Sequence, residues 1–449
     1  LNGNARIDGS NRFGDQSNNR FLPIWSASAS WNISEINWLK RSWIDFITLK
    51  TSFGYQGNML SDQSPVMIIE KHPTDGYFNE MTATLKINAN PNLKWEKTSS
   101  YNIGLDFSLF QRKLMMEASY YLKRTKNAFM AKDISSINGI DGNSYVVNRG
   151  DVNNSGYSIA LTISPVDTKD IRWTLSTSFS RTINKIENNS AADQYELKDF
   201  LDGTALVEGK PVGTFYSYKF IGLSPVDGGP LFDDMEDEKD KLLGQSKYDT
   251  YTQVLEASGR REPIMAGGLN TSMRYKNFRL NASLAYSLGG KIRLFGMYGQ
   301  ATNSSIDVST IYPERNMDRS IIKRWKKPGD ERFTTIPAII SIASSSYARY
   351  RNHWSKDIAE IQPIANSYWD MYDYSNHRVV SSNYLKCQNI SLSYEFNEKL
   401  ISKIGMSRLE ITLSSSNLFT ICSKKLNGQT PTQSGFADIQ LSDRPTYSI

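Results

Sequence analysis

The side chains that most often perform chemistry are few and scattered in this sequence. Three histidines, His72, His353 and His377, lie far apart and share no metal-ligand spacing. Two cysteines, Cys387 and Cys422, are too few for a disulfide scaffold or a cysteine-rich metal site. The sequence also contains no Gly-Xaa-Ser-Xaa-Gly elbow, P-loop or His-Glu-Xaa-Xaa-His motif. We therefore expect no enzymatic activity, no cofactor and no metal ion.

One acidic run could offer oxygen ligands to a divalent cation: Asp233-Asp234-Met235-Glu236-Asp237-Glu238. The run lacks the spaced Asp/Asn and Gly pattern of a calcium-binding loop. A solvated acidic loop is therefore the simpler interpretation.

The segment from about 291 to 384 is dense in aromatic and basic side chains. These are Tyr347, Arg349, Tyr350, Arg351, Trp354, Tyr368, Trp369, Tyr372 and Tyr374. Two interpretations remain open. The rings could form a small core that keeps a long loop ordered. Some could instead bind a ligand, because aromatic faces stack well on sugar rings. For that second interpretation, the candidate ligand-binding residues are Tyr350, Trp354, Trp369 and Tyr372.

The elements that must position these residues are predicted to be β-strands. Apolar and polar residues alternate along most of the chain, as in a strand with one apolar face. We predict about twelve strands from this period-two pattern. Their spans are 1–7, 20–33, 45–57, 98–109, 114–125, 154–164, 172–186, 262–275, 278–290, 385–396, 408–421 and a partial strand from 443.

The connectors between these strands alternate between short and long. The short ones lie near 34–44, 110–113, 165–171, 276–277 and 397–407. The long ones are 58–97, 126–153, 187–261, 291–384 and 422–442. This alternation is typical of an up-and-down barrel in an outer membrane, with short periplasmic turns and long extracellular loops. The sequence therefore predicts an all-β fold, an antiparallel transmembrane β-barrel.

Composition agrees with this fold class and excludes others. The chain has 449 residues, 39% of them hydrophobic, and a formal net charge of +6. No apolar run is long enough for a transmembrane helix, and the mean hydropathy is −0.47. A barrel strand has only one apolar face, so such a barrel keeps its average hydropathy low. The basic residues are spread along the chain, which argues against a nucleic-acid surface.

Five stretches of the sequence match segments of a known protein family. They are Asp8-Gly9-Ser10-Asn11-Arg12-Phe13-Gly14; Asn92-Leu93-Lys94-Trp95-Glu96-Lys97-Thr98 with the strand Tyr101-Asn102-Ile103-Gly104-Leu105-Asp106; Gly209-Lys210-Pro211-Val212-Gly213 with Tyr218 and Gly222; Arg324-Trp325-Lys326-Lys327-Pro328-Gly329-Asp330; and Tyr384-Leu385 with Asn389-Ile390-Ser391-Leu392-Ser393-Tyr394 and Ser416-Asn417-Leu418-Phe419. These stretches resemble the SusC/RagA family of TonB-dependent outer-membrane transporters, and they occur in the family's order. None of these stretches is a catalytic motif, and their residues belong to strands, turns and loop bases.

The resemblance implies a plugged barrel of about 22 strands, of which residues 1–449 would form the C-terminal part. It also implies TonB-dependent import of an oligosaccharide or peptide across a Gram-negative outer membrane. The expected partners are a SusD-like surface lipoprotein as lid, outer-membrane lipid, and TonB acting through an N-terminal part. That part, with the plug, has no counterpart in this sequence, so we expect a fragment. A passive porin or a surface adhesin is the alternative function.

The strand pattern also predicts the state of the two cysteines. A short turn near 397–407 would place Cys387 opposite a residue near Asn417, about five positions from Cys422. At ~3.3 Å per residue this separation is ~16 Å. A disulfide requires Cα atoms within about 7 Å. We therefore predict two free thiols.

Overall fold

The computed structural model describes residues 1–10, 20–60, 66–87, 89–133, 144–189, 195–297, 318–341, 343–351, 364, 368–397, 401–433 and 444–449. Most elements in these ranges are β-strands, and the helices are short. No helix in the described ranges combines the length and apolar character needed to cross a membrane.

The strands, in chain order, are β1 (Asn2–Gly9), β2 (Phe21–Asn32), β3 (Ile44–Asn58), β4 (Ile68–Thr74), β5 (Met81–Ile87), β6 (Glu96–Leu109), β7 (Leu114–Asp133), β8 (Ser144–Asp167), β9 (Ile171–Asn189), β10 (Thr214–Ser217), β11 (Lys219–Leu223), β12 (Pro230–Asp233), β13 (Glu256–Arg260), β14 (Met265–Tyr275), β15 (Phe278–Leu288), β16 (Lys291–Arg293), β17 (Val379–Ser381), β18 (Tyr384–Glu395), β19 (Glu410–Ser416), β20 (Thr420–Cys422) and β21 (Thr446–Ser448). The α-helices are α1 (Leu197–Asp202), α2 (Lys247–Val254), α3 (Tyr347–Arg351) and α4 (Tyr368–Asp373). Short 3-10 helices span Ile33–Glu35, Glu236–Leu242, Arg319–Lys323, Asp330–Arg332, Asn376–Arg378, Ser402–Ile404 and Lys424–Leu426.

One large antiparallel sheet contains thirteen of the strands in the described ranges. Its order is β1-β2-β3-β6-β7-β8-β9-β14-β15-β18-β19-β21, and β20 pairs with β18 beyond the end of β19. With the exception of β20, each strand therefore lies beside the next large-sheet strand along the chain, as in an up-and-down barrel wall. The predicted all-β antiparallel barrel fold is confirmed, and each of the twelve predicted strands overlaps a strand of this sheet.

The two faces of the sheet differ in chemistry because side chains alternate along each strand. The outer face carries large apolar side chains that remain exposed: Trp25, Trp31, Phe53, Tyr101, Leu105, Tyr120, Met273, Leu392 and Leu413 among others. Leu413, for example, is 52% exposed. Rings on neighbouring strands also contact one another, with Trp25 lying 5.5 Å from both Phe53 and Tyr55. Such an apolar outer band is suited to hydrocarbon.

The opposite face is polar and its side chains hydrogen-bond across strands. Asn102 donates to Ser52 over 3.1 Å, and the hydroxyls of Ser119 and Ser158 lie 2.7 Å apart. Lys50 forms an ion pair with Asp106 on the neighbouring strand β6. Polar groups on this face satisfy one another and solvent, as expected for a barrel lumen.

The connectors follow the predicted short and long classes. Short connectors join β2 to β3, β6 to β7, β8 to β9, β14 to β15 and β18 to β19 at one edge of the sheet. At the other edge, the connector 126–153 differs from the prediction. There β7 continues to Asp133 and β8 begins at Ser144, so most of this segment is strand. Val146 and Val147 lie in the part of β8 that extends into this predicted connector.

The cysteine prediction is confirmed, although its register is wrong by about two residues. Cys387 and Cys422 are both free. Cys387 donates its backbone N–H to the carbonyl of Phe419, and Cys422 pairs with Tyr384. The reason for the shift is a break between β19 and β20, where Asn417 adopts a positive φ of 55°.

The long connectors fold into a loop assembly with its own buried cores. We call the first loop core the cluster built on α1, α2, β10 and α4. It contains Phe200, Leu201, Ala205, Val207, Tyr216, Tyr218, Leu242, Tyr251, Val254, Leu255, Ile364 and Met371. Tyr218 and Ser375 form a parallel bridge, so the loops 187–261 and 291–384 are joined through this core. Next to it, the acidic run is only partly solvated, since Asp234 is buried.

A second loop core holds five aromatic side chains of the longest connector. It contains Leu223, Met297, Ile321, Trp325, Ala338, Ile340, Tyr347, Tyr350, Trp369 and Tyr372. The backbone at Gly228 packs directly against the Trp325 ring of this core. A Cβ at this position would lie 2.3 Å from the ring, which is too close for any side chain. The core therefore orders a long connector by burying rings, as the first of the two interpretations expects.

Arg293 links three of the long connectors. Its guanidinium is buried and donates to the carbonyls of Ser375, Leu201 and Tyr216, and to the Ser217 hydroxyl, over 3.0–3.2 Å. Gln429, from the last connector, donates to the Arg293 carbonyl over 3.1 Å. Burial lowers the pKa of Arg293 to about 10, so the group still carries its charge at neutral pH.

Asp202, at the end of α1, makes the stability of the loop assembly depend on pH. Burial raises the pKa of Asp202 from 3.8 to about 6, against the opposing effect of Lys198 and Arg293. The folded state therefore favours the protonated carboxyl. The stability that the protonated Asp202 carboxyl adds to the folded state is fully present below pH 3.8 and is lost as the pH rises through about 6.

We predict that Asp202→Asn flattens this pH dependence. The wild-type loop assembly should resist proteolysis less well above the folded-state pKa of about 6 than below it, and the variant should resist equally in both ranges. Limited proteolysis of the membrane-inserted protein measures this. Asp240→Asn, at an exposed position, is the control and should retain the wild-type dependence. An Asp202→Asn variant with the wild-type dependence would contradict the prediction.

Candidate functional site

The loop assembly encloses a cavity of about 1290 Å³, which we call the loop cavity. Segments distant in the sequence supply its walls. These are β11, β13, β16, β17, the segments around 294–297, 318–320 and 335–336, residues 372–378, and the last long connector at 423–433. Because the walls come from three separate connectors, the loop cavity exists only when those connectors fold together.

Three rings in edge-on and tilted contact form one wall of the loop cavity. Phe220 lies 5.5 Å from both the Tyr372 ring and the His377 ring, and Tyr372 lies 6.4 Å from His377. The His377 Nε2 is 2.8 Å from the Thr335 hydroxyl. Burial raises the pKa of Tyr372 to about 12, so its hydroxyl stays protonated at neutral pH. This wall offers ring surface and neutral hydrogen-bonding groups.

Four basic side chains lie in the same cavity as these rings. Lys291, Arg378, Lys424 and Lys425 all line the loop cavity. Desolvation lowers the pKa of His377, and the charges of Arg378 and Lys425 lower it further. His377 is therefore neutral at physiological pH, and the lysines provide the charge that a bound molecule would meet.

The predicted ligand-binding residues occupy different positions relative to this cavity. Tyr350, Trp369 and Tyr372 are 0%, 3% and 1% exposed, and all three belong to the second loop core. The Tyr350 hydroxyl donates to Asp227 over 2.7 Å. Among these three, Tyr372 lines the loop cavity, and Trp354 lies outside the described residues. A ligand-binding role for the four residues stays a prediction.

Sequence reasoning missed the other residues that line the loop cavity. Phe220 lies in the connector 187–261, whereas Lys424 and Lys425 lie in the connector 422–442. His377 was noted in the sequence only because it shares no metal-ligand spacing with the other histidines. The available signal was weak: Lys424-Lys425 is a basic pair in a connector that otherwise contains many small polar residues. In the described ranges, no cluster of His, Cys, Asp and Glu could hold a metal ion.

A second cavity of about 850 Å³ follows the polar face of the large sheet. Its polar lining includes Ser28, Lys50, Asn102, Asp106, Glu117, Ser119 and Ser158. This surface continues over strands β1, β2, β3 and β6 to β9 and reaches β14 at Ala266. It is a wall rather than a closed pocket, and its charged groups face the space that the sheet curves around.

The sequence matches a known family and several curated relatives. Residues 1–224 match the family model described as TonB dependent receptor-like, beta-barrel. TonB-dependent receptor P3 of Formosa agariphila is 25% identical, over 93% of this chain and 39% of the relative. TonB-dependent receptor SusC of Bacteroides thetaiotaomicron is 27% identical, over 64% of this chain and 29% of the relative. The chain spans about two fifths of the length of TonB-dependent receptors P3 and P39 of Formosa agariphila.

Solved structures show the same fold. The RagAB peptide importer in its closed-closed state superposes with a TM-score of 0.73 and 21% identity, covering 99% of this chain and 44% of the solved one. The RagAB peptide transporter gives a TM-score of 0.71 over 96% of this chain. The antiparallel sheet, the family match and the named relatives agree with one another. This chain belongs to the TonB-dependent receptor β-barrel family and is similar to its SusC/RagA type.

Proposed function

We propose that this chain is the C-terminal barrel wall and loop assembly of a longer transporter in the outer membrane of a Gram-negative bacterium. The whole protein would import a bulky nutrient, an oligosaccharide or a peptide, with energy supplied through TonB. A plug from the N-terminal part would fill the lumen. A SusD-like surface lipoprotein would close over the loop assembly.

One observation carries the proposal: the large sheet has an apolar outer face, a polar inner face and folded loops at one edge. In hydrocarbon, backbone N–H and C=O groups must be paired within the protein, which favours a closed sheet. The polar inner face, with Lys50, Asp106 and Glu117, suits a hydrated plug better than lipid. The family match to TonB-dependent receptors supports energised transport over passive diffusion.

The loop cavity is the substrate-contacting surface that we propose for this part of the protein. It lies in the connectors that would face the exterior, and it combines ring surface with polar groups. We propose that Tyr372 contacts the substrate there, together with Tyr350, Trp354 and Trp369 as candidates. The burial of Tyr350, Trp369 and Tyr372 means that these three rings also stabilise the second loop core.

We predict uptake that requires both this gene and TonB. Cells would receive a mixture of oligosaccharides and peptides, and mass spectrometry would follow depletion from the medium. Wild-type cells should deplete at least one component that cells lacking this gene, or lacking TonB, leave in place. Depletion that needs the gene but continues without TonB would indicate a passive porin. Equal depletion by wild-type and gene-deleted cells, with reduced surface attachment in the mutant, would indicate an adhesin.

A buried aromatic candidate that stabilises the second loop core should differ, when it is substituted, from a candidate that contacts the ligand. Trp369→Ala should open the second loop core, because truncating a buried Phe or Trp to Ala costs about 3–5 kcal/mol. Limited proteolysis of the segment around 318–351 should then accelerate, while heat-modifiable gel mobility of the barrel stays unchanged. Phe333→Ala, at a position 89% exposed in the same segment, is the matched control.

Tyr372→Phe, which keeps the buried ring and removes its hydroxyl, and Trp354→Ala test the ligand role itself. If these side chains contact the depleted compound, calorimetric affinity should fall while protease resistance of the loops remains. Unchanged affinity in both variants would remove these residues from the proposed site.

A further inference from the structure

The three lysines of the loop cavity have no electrostatic partner in the part of the chain that the structure describes. Lys424 and Lys425 are exposed on the 3-10 helix Lys424–Leu426, and Lys291 is half-buried on β16. No side-chain hydrogen bond or ion pair within the described ranges involves any of their ammonium groups. The three charges are therefore available to a molecule in the cavity.

The acidic groups of the same cavity are already engaged. Glu256 accepts a hydrogen bond from the Asn376 amide over 2.6 Å. Asp318 accepts from the backbone N–H of Ser320 over 2.8 Å, which caps the helix that follows. The remaining cation, Arg378, donates to the Phe295 carbonyl and lies 3.9 Å from the buried carboxylate of Asp373. The lining therefore carries four cationic side chains against two carboxylates, and its net charge is positive.

The rest of the lining is rich in groups that both donate and accept hydrogen bonds. Hydroxyls come from Ser258, Ser320, Thr335, Ser381 and Ser423, and amides from Asn376, Asn427 and Gln433. Sugar hydroxyls also donate and accept hydrogen bonds, so this lining is chemically complementary to them. An acidic peptide would meet the lysines equally well, but it presents few hydroxyls to the remaining lining.

We infer that the loop cavity binds an anionic oligosaccharide, whose carboxylate or sulfate groups pair with Lys424, Lys425 and Lys291. This inference rests on the proposed transport function and narrows its substrate class. A cleft lined by one sign of charge concentrates ligands of the opposite sign, and lysine acts as a point charge toward such groups. The Phe220 ring would support the apolar face of a sugar beside them.

Calorimetry on the complete transporter with its lid lipoprotein tests the inference. Four probes of matched length distinguish the ligand classes: maltohexaose, sulfated maltohexaose, hexagalacturonate and hexaglutamate. At least one of the two anionic sugars should bind, and more tightly than maltohexaose. Its affinity should fall at least about tenfold in the Lys424→Gln/Lys425→Gln double variant, since bonds to charged groups contribute on that scale.

A second lysine pair provides the control. Lys326 and Lys327 are also adjacent and exposed in the loop assembly, but they do not line the loop cavity. Lys326→Gln/Lys327→Gln should leave the affinity unchanged. Equal losses in the two double variants would show a general charge effect and overturn the site.

The remaining outcomes are decisive for the ligand class. Tightest binding of hexaglutamate would assign an acidic peptide instead, and tightest binding of maltohexaose would assign a neutral sugar. If neither anionic sugar binds, the inference is rejected even when TonB-dependent depletion upholds the proposed function. If depletion does not depend on TonB, the proposed function fails whatever the probes show.

Discussion

The pairing of backbone N–H and C=O groups between neighbouring strands is the constraint on which the rest of this structure depends. Hydrocarbon offers these groups no partners, so a sheet that lies in lipid must satisfy them itself. The consecutive antiparallel order from β1 to β21 does so with connectors of alternating length. Once the sheet is in place, side-chain alternation assigns apolar residues to one face and polar residues to the other.

The long connectors cannot rely on the sheet for their order and must bury their own side chains. They do so around the Arg293 guanidinium, which donates to carbonyls of separate connectors, and around rings such as Tyr350 and Trp369. Buried polar groups of this kind are stable only when their partners are all in place. The cavity beside them is a product of the same cooperative folding, which explains why its charged residues come from connectors far apart in sequence.

The sequence predicted the sheet well because period-two alternation is local. The strands around 101–109 and 114–122, for instance, pair as expected from their apolar residues. It predicted the loop cavity poorly because no local pattern places Lys425 beside His377. The predicted partner of Cys387 was about two residues off, because the strand breaks at Asn417 and the sequence there does not show the break. Ring-rich segments were recognised, but burial decides whether a ring packs or binds, and burial is a tertiary property.

The barrel fold requires β6 to lie in a membrane-spanning wall, with lipid on one face and the lumen on the other. Spin labels placed singly at residues 101 to 107, in a Cys387→Ser/Cys422→Ser background, test it in outer-membrane vesicles. Collision with oxygen, which partitions into lipid, should be high at Tyr101, Ile103, Leu105 and Phe107 and low at Asn102, Gly104 and Asp106. Uniform accessibility along the strand, or water-soluble quencher reaching the odd positions, would contradict the account.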